Sequence, residues 1–222
     1  MSSNKLLARL SRADSRLLEP HLEAVDLPLR RHLQIRNKKV DQVYFIESGM
    51  ASVVANGREQ AIEVGIIGRE GMSGISVVLG NGDRAPNETY MQIAGDGLRL
   101  PAVNLREAIA ASVTLHHVLL HYVHAFMTQT TQTALANGRS KIEERLARWL
   151  LMVHDRVEGN EIPLTHEFLA TMLGVRRSGV TLALQELERK GLIAHRRSFV
   201  TVIDRGGLEE NSNGTYSRQK DM

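Results

Sequence analysis

Arg176, Arg177, Ser178 and Thr181 fall together in the segment LTHEFLATMLGVRRSGVTLALQELERKGLI (residues 164–193), whose apolar spacing puts them in the first turn of a helix. An arginine there can donate two hydrogen bonds to a guanine edge, and a serine or threonine hydroxyl can reach a base or a phosphate. His195, Arg196 and Arg197 sit at or near the tip of the following run, LIAHRRSFVTVID, which reads as two short strands. A basic hairpin tip suits contact with phosphates. The intervening residues have the order that would hold both clusters in place. Thr165 is a good N-cap, with His166 beside it, and Phe168, Leu169, Met172 and Leu173 make an inward face before Gly174 permits a tight turn. Val180, Leu184 and Leu187 line the second helix, which stops at Gly191. Residues 163–204 therefore predict a winged helix-turn-helix for double-stranded DNA, its candidate contacts being Thr165, His166, Arg176, Arg177, Ser178, Thr181, Arg196 and Arg197. The competing reading is a helical hairpin with a solvated arginine face.

Other residues invite chemistry less firmly. His117, His121 and His124, with His116 adjacent, lie at i, i+4 and i+7 of a helical stretch, a spacing that can bring imidazoles onto one metal or make a pH sensor. The simpler reading is a partly solvated helix face, and no metal site is expected. Cysteine is absent, which removes disulfides, thiolate zinc sites, cysteine-ligated iron-sulfur clusters and cysteine nucleophiles. His32 is the only histidine among the strand-like runs, too few for a metal-dependent β-barrel enzyme. No G-x-S-x-G, P-loop or dinucleotide fingerprint occurs. The expectation is a protein that is not an enzyme, with a β-roll metalloenzyme as the distant alternative.

The elements needed to position the arginines follow from the rest of the 222 residues. The net charge of +3 is only mildly basic, and most of the excess lies in residues 138–205, with twelve Lys and Arg against nine Asp and Glu. No apolar run reaches membrane-spanning length and the N-terminus has no apolar signal core, so a soluble, cytoplasmic protein without a membrane partner is expected. Leucines at 6, 7, 10, 17, 18 and 22 predict short amphipathic helices broken near Ser11 and ended by Pro20. The runs VYFI, ASVVA, QAIEVGII, ISVVL and TYMQIA, separated by Gly, Asn and Asp, predict the strands of an antiparallel roll, with Asn56-Gly57 as a hairpin turn. Residues 104–155 predict a short helix, a long one with a C-cap at Asn137-Gly138, and another whose Trp149 is core. In the long helix, Leu115, Leu119, Tyr122, Phe126, Gln129 and Thr133 alternate by four and three, as a two-stranded parallel coiled-coil seam does. A homodimer along this seam is predicted; the alternative is that the same residues pack on the roll of their own chain. Residues 206–222 are nearly devoid of apolar side chains and predict a frayed tail. The expected domains are 1–111, a roll with N-terminal helices; 112–137, a dimerisation helix; 138–205, the winged helix-turn-helix; and 206–222, the disordered tail.

On VYFIESGMASVV, the long helix and the helix-turn-helix segment with its hairpin, the sequence resembles the Crp/Fnr regulators over nearly its whole length. The resemblance implies an α+β homodimer: an N-terminal cyclic-nucleotide-binding-like β-roll (jelly roll), a long dimerisation helix and a C-terminal winged helix-turn-helix that reads a palindromic site to regulate transcription. RNA polymerase is a further candidate partner. Two departures matter. The family's recognition helix opens Ser-Arg then Glu, whereas this chain has Arg176, Arg177 and Ser178, so Arg177 alone carries over, and Leu182 stands where cyclic-AMP receptors place a later arginine. In the cassette GREGMSGISVVLGNGDRAPNETY, Gly74 falls at the glutamate that receives the ribose hydroxyl, Arg84 can still meet a phosphate, and Ala85 replaces the hydroxyl residue. Glu70, beside Gly71, is the substitute acceptor in reach. A buried hydroxyl without its acceptor costs roughly 1–3 kcal/mol. The expectation is a roll with no cofactor and an unknown effector, cyclic nucleotide being disfavoured; the alternative is a regulator that needs no ligand.

Overall fold

The computed structural model describes residues 2–57, 61–80 and 84–217. After a 3-10 turn at Leu7–Arg9, helix α1 (Arg12–Leu18) starts where Ser11 Oγ accepts the Asp14 amide, which is why the leucine pattern breaks there. A second 3-10 turn, Glu19–His21, holds Pro20. Seven strands follow: β1 (Glu23–Leu27), β2 (His32–Gln34), β3 (Gln42–Ile46), β4 (Met50–Asn56), β5 (Ala61–Ile67), β6 (Glu88–Ile93) and β7 (Gly95–Pro101). They form two sheets, ordered β1-β7-β3 and β2-β6-β4-β5. The predicted runs VYFI and ASVVA are in strands, as are residues 61–67 of QAIEVGII and 89–93 of TYMQIA; Gln60 lies outside the described residues. The connection after Asn56-Gly57 runs through residues 58–60, outside the described residues.

One predicted strand is a correction. ISVVL forms a single helical turn, α2 (Ile75–Val78), entered through Gly74 at φ 90°. Four β-branched or apolar residues fit a buried strand or a buried turn equally well, and the left-handed glycine decides between them. Helix α3 (Ala102–Ala111) leads to the 27-residue α4 (Val113–Arg139), about 40 Å long at 1.5 Å per residue. The expected stop at Asn137-Gly138 does not occur, and the helix continues to Arg139.

Then come α5 (Ile142–His154), β8 (Glu161–Pro163), α6 (His166–Leu173), α7 (Arg177–Arg189), β9 (Ile193–Arg196), β10 (Phe199–Val202) and α8 (Arg205–Asn211). Strands β8, β10 and β9 make a third antiparallel sheet in that order. Helix α8 corrects the expected frayed tail: Leu208 is fully buried, and Ser212 and Thr215 are buried beyond it. Arg205 pairs with Asp155 at 2.8 Å, and Tyr216 donates to the same carboxylate at 2.8 Å. One leucine suffices to dock a two-turn helix when its ends are tied by charged hydrogen bonds.

The chain divides into two compact units. One comprises residues 1–53 and 66–128; the other adds Val54–Gly65 to the chain from Gln129 onward. The first unit's core gathers Phe45, Leu100, Leu105, Leu115, Leu119 and Tyr122.

Candidate nucleic-acid interface

The second unit presents its basic residues on two adjoining elements. Thr165 Oγ1 accepts the Phe168 amide at 3.2 Å and starts α6, which ends at Gly174 in the left-handed conformation, φ 61°. Only two residues separate that glycine from α7, so α6 and α7 form the predicted helix-turn-helix. Val180, Ala183, Leu184 and Leu187 bury the inner face of α7. Gly179 packs closely against α5, a Cβ there lying 3.1 Å from Ile142 Cδ1. Behind the motif, the Trp149 ring meets Phe168 edge-on at 5.7 Å and its indole donates to Glu63 Oε1 at 2.7 Å. Buried Arg148 donates to the carbonyls of Thr215 and Gln129 and has Glu63 nearby. Burial pulls its guanidinium down to about 10, which leaves it charged at neutral pH.

Arg176 is the N-cap of α7 and Arg177 its first residue; both side chains, with Ser178, are exposed. The structure thus brings three of the predicted contacts to one helix start. Thr181 differs from the expectation: it is half-buried, its hydroxyl donating to the Arg177 carbonyl at 3.1 Å and lying 3.2 Å from His166 Nδ1. With that proton committed, Thr181 accepts from His166 Nδ1–H and leaves Nε2 as an acceptor. Burial, then His195 and Arg177, lower the His166 pKa, so the ring stays neutral near pH 7 and acts through hydrogen bonds.

The wing is the β9–β10 hairpin, where Arg196 faces Phe199 across a turn made by Arg197 and Ser198, the latter at φ 74°. Arg196, Arg197 and Phe199 are exposed. Sequence reasoning missed Gln185, exposed on the same face as Ser178 and Leu182 at i, i+4 and i+7. That spacing was a usable signal, and glutamine can bond an adenine edge in two places. Replacing Arg197 with alanine should weaken every DNA sequence alike and flatten the plot of log affinity against log salt by about 0.9 for one lost phosphate contact. Binding titrations over a salt series measure both effects.

The sequence also placed an effector site and a dimer seam. In the first unit a cavity of about 300 Å³ is lined by Gly74 and Arg84 from that prediction, together with apolar side chains such as Val53, Ile67 and Phe126. Glu70, Gly71 and Ala85 do not line it. The Glu70 carboxylate accepts the Gly68 amide, a Cβ on Gly71 would strike the Tyr122 ring, and Ala85 is in the core. Gln34 Nε2 and Ser76 Oγ, on two other lining residues, are buried with no hydrogen-bond partner among the described residues.

Three residues of the predicted seam are a correction. Leu115 and Leu119 are fully buried and Tyr122 nearly so, all within their own chain's core, and Tyr122 donates to the Met72 carbonyl at 2.7 Å. Phe126 and Thr133 are half-buried and Gln129 is buried. Any apolar stripe on a long helix alternates by four and three, and Leu115, Leu119 and Tyr122 of this one serve the roll. Among the described residues no group of three or more His, Asp or Glu side chains could hold a metal, and no helix is long and apolar enough to cross a membrane.

Comparison with known proteins gives this arrangement a context. Residues 144–211 match the Crp-like helix-turn-helix domain. No curated protein sequence matches the chain. Among solved structures, a transcriptional regulator of the Crp/Fnr family from Eubacterium rectale superposes with a TM-score of 0.73 at 18% identity, covering 94% of this chain and 98% of that one. A CRP-family transcriptional regulator from Thermus thermophilus gives 0.71 at 18%, covering 87% and 98%. The c-di-GMP-responsive global regulator CLP of Xanthomonas campestris gives 0.68 at 15%, covering 86% and 99%. At these identities the structures show a common fold.

Proposed function

We propose, from the premise that this chain carries a Crp-like helix-turn-helix domain on the fold of Crp/Fnr transcription regulators, that it is a homodimeric, sequence-specific DNA-binding regulator and not an enzyme. The observation that carries the reading is the exposed Arg176-Arg177-Ser178 start of α7 beside the basic hairpin tip at Arg196 and Arg197. A helix start of this kind enters the major groove, and a dimer sets two of them about 34 Å apart, one turn of duplex. Binding-site selection from random DNA with the purified protein tests this. The expected product is a pseudo-palindrome with half-sites about 10 base pairs apart, centre to centre. An asymmetric motif, or no enrichment, overturns it.

The roll cavity supports ligand control over a regulator that is always competent. An unpaired buried amide nitrogen and an unpaired buried hydroxyl are costly unless something bonds them, and Gln34 and Ser76 both line the cavity. No carboxylate is among its described lining residues, and Arg84 already donates to the Asn37 carbonyl at 2.6 Å. A cyclic nucleotide would lack its ribose acceptor here, so an effector of more apolar character fits better. Cyclic AMP and c-di-GMP are each expected to leave the melting temperature unchanged. A rise of several degrees at about 100-fold excess over a micromolar Kd would refute this.

A further inference from the structure

Once the roll claims Leu115, Leu119 and Tyr122, the outer side of α4 remains. Val113, His117, Leu120, His124, Met127, Thr131 and Ala134 follow one another by four, three, four, three, four and three. All but Leu120, which is half-buried against the roll's core, are exposed, Val113 at 72% and Met127 at 62%. Residues 113–138 contain no Asp, Glu, Lys or Arg. A solvent-facing helix that needs no partner normally carries such charges. A face with no fixed charge can meet an identical face without repulsion, and the alternation continues for about seven layers. The occupant this face fits is a second copy of the chain, in parallel and related by a two-fold axis.

We infer that the two chains pair along this outer stripe with His117 and His124 in the seam, so that the dimer holds with neutral imidazoles and loosens when they take up protons. The inference rests on the homodimer reading above and adds its regulation. In the parallel pairing each of these histidines faces its own counterpart, while His121 flanks the seam one turn from His117. None of the three imidazoles has a hydrogen-bond or ion-pair partner among the described residues. Other elements bring few charges to α4. Asp14 of α1 meets its start at Thr114 and at Ser112 just before it, whose hydroxyls, with that of Ser11, donate to the carboxylate, and Arg148 of α5 meets it at the Gln129 carbonyl. Neither forms an ion pair with a seam histidine.

The sign follows from desolvation. Burying an imidazole against its mate disfavours the charged form, so the paired state has the lower pKa and binds fewer protons. Pairing is therefore at full strength above the ordinary histidine range, near pH 6.5, and is lost progressively as pH falls below it. Sedimentation equilibrium of the full chain at a series of pH values, with circular dichroism to confirm folding at each, provides the test. The dimer dissociation constant should rise at least about tenfold between about pH 7.5 and about pH 5.5. The double variant His117→Gln/His124→Gln should remain dimeric and change by less than about twofold over that range. His154→Gln, away from the seam, should keep the wild-type dependence. A wild-type protein that is monomeric at the higher pH overturns the dimer reading itself. A dimer indifferent to pH, or a double variant as sensitive as wild type, overturns the histidine seam and leaves the dimer standing.

Discussion

Arg177→Ala should cost about 1–3 kcal/mol of affinity for the selected site, roughly 10- to 100-fold, with the loss concentrated at one base position in each half-site. The guanidinium is exposed at the first residue of α7 and has no ion-pair or hydrogen-bond partner of its own among the described residues. Its position is unfavourable for the fold, since two adjacent arginines meet the positive end of the helix dipole there and repel each other. Removing one should leave stability unchanged or raise it by a few tenths of a kcal/mol. Loss of binding without loss of stability separates a reading contact from a structural one. Isotherms on single-base variants of the site, together with a melting curve, measure both. Equal weakening on all variants would assign Arg177 to phosphate instead.

Leu208→Ala should destabilise the C-terminal unit by about 2–5 kcal/mol, a large part of the margin of an ordinary domain. Leu208 is fully buried on a helix whose capping is local, with Asp204 accepting the Gly207 amide at 3.0 Å. Truncation after Asp204 should be worse, because it also removes the Thr215 carbonyl that accepts Arg148 Nε at 3.0 Å. A buried guanidinium deprived of an acceptor is among the costlier defects a small domain can carry. The fluorescence of Trp149, the sole tryptophan, reports this unit directly. A truncated chain that unfolds at the wild-type midpoint would show that α8 contributes nothing.

The helix-turn-helix was legible because its signals are local: a threonine cap, a left-handed glycine and an apolar stripe each act within one or two turns. The roll was legible in outline for the same reason, a β-branched or aromatic run such as VYFI or TYMQIA being a property of single strands. What escaped depends on partners distant in sequence. ISVVL suits strand or helix until Gly74 sets its direction, and α8 offers one leucine, too little for any periodicity. Helix α4 has two stripes of equal period, and only the folded roll shows which is taken. In the roll cavity, Gln34 and Ser76 were invisible because nothing local marks an amide or hydroxyl that tertiary packing deprives of a partner.

The discontinuous C-terminal unit has a consequence for the order of assembly. Trp149 finds its hydrogen-bond acceptor in Glu63, 86 residues earlier in the chain, and the unit includes Val54–Gly65. During synthesis that segment emerges well before the helices it serves, so strand β5 awaits them. A fragment beginning at residue 138 lacks both Glu63 and the Gln129 carbonyl. Its indole and Arg148 guanidinium would each lose a partner, and closure of so long a loop makes completion of this unit a late event in folding.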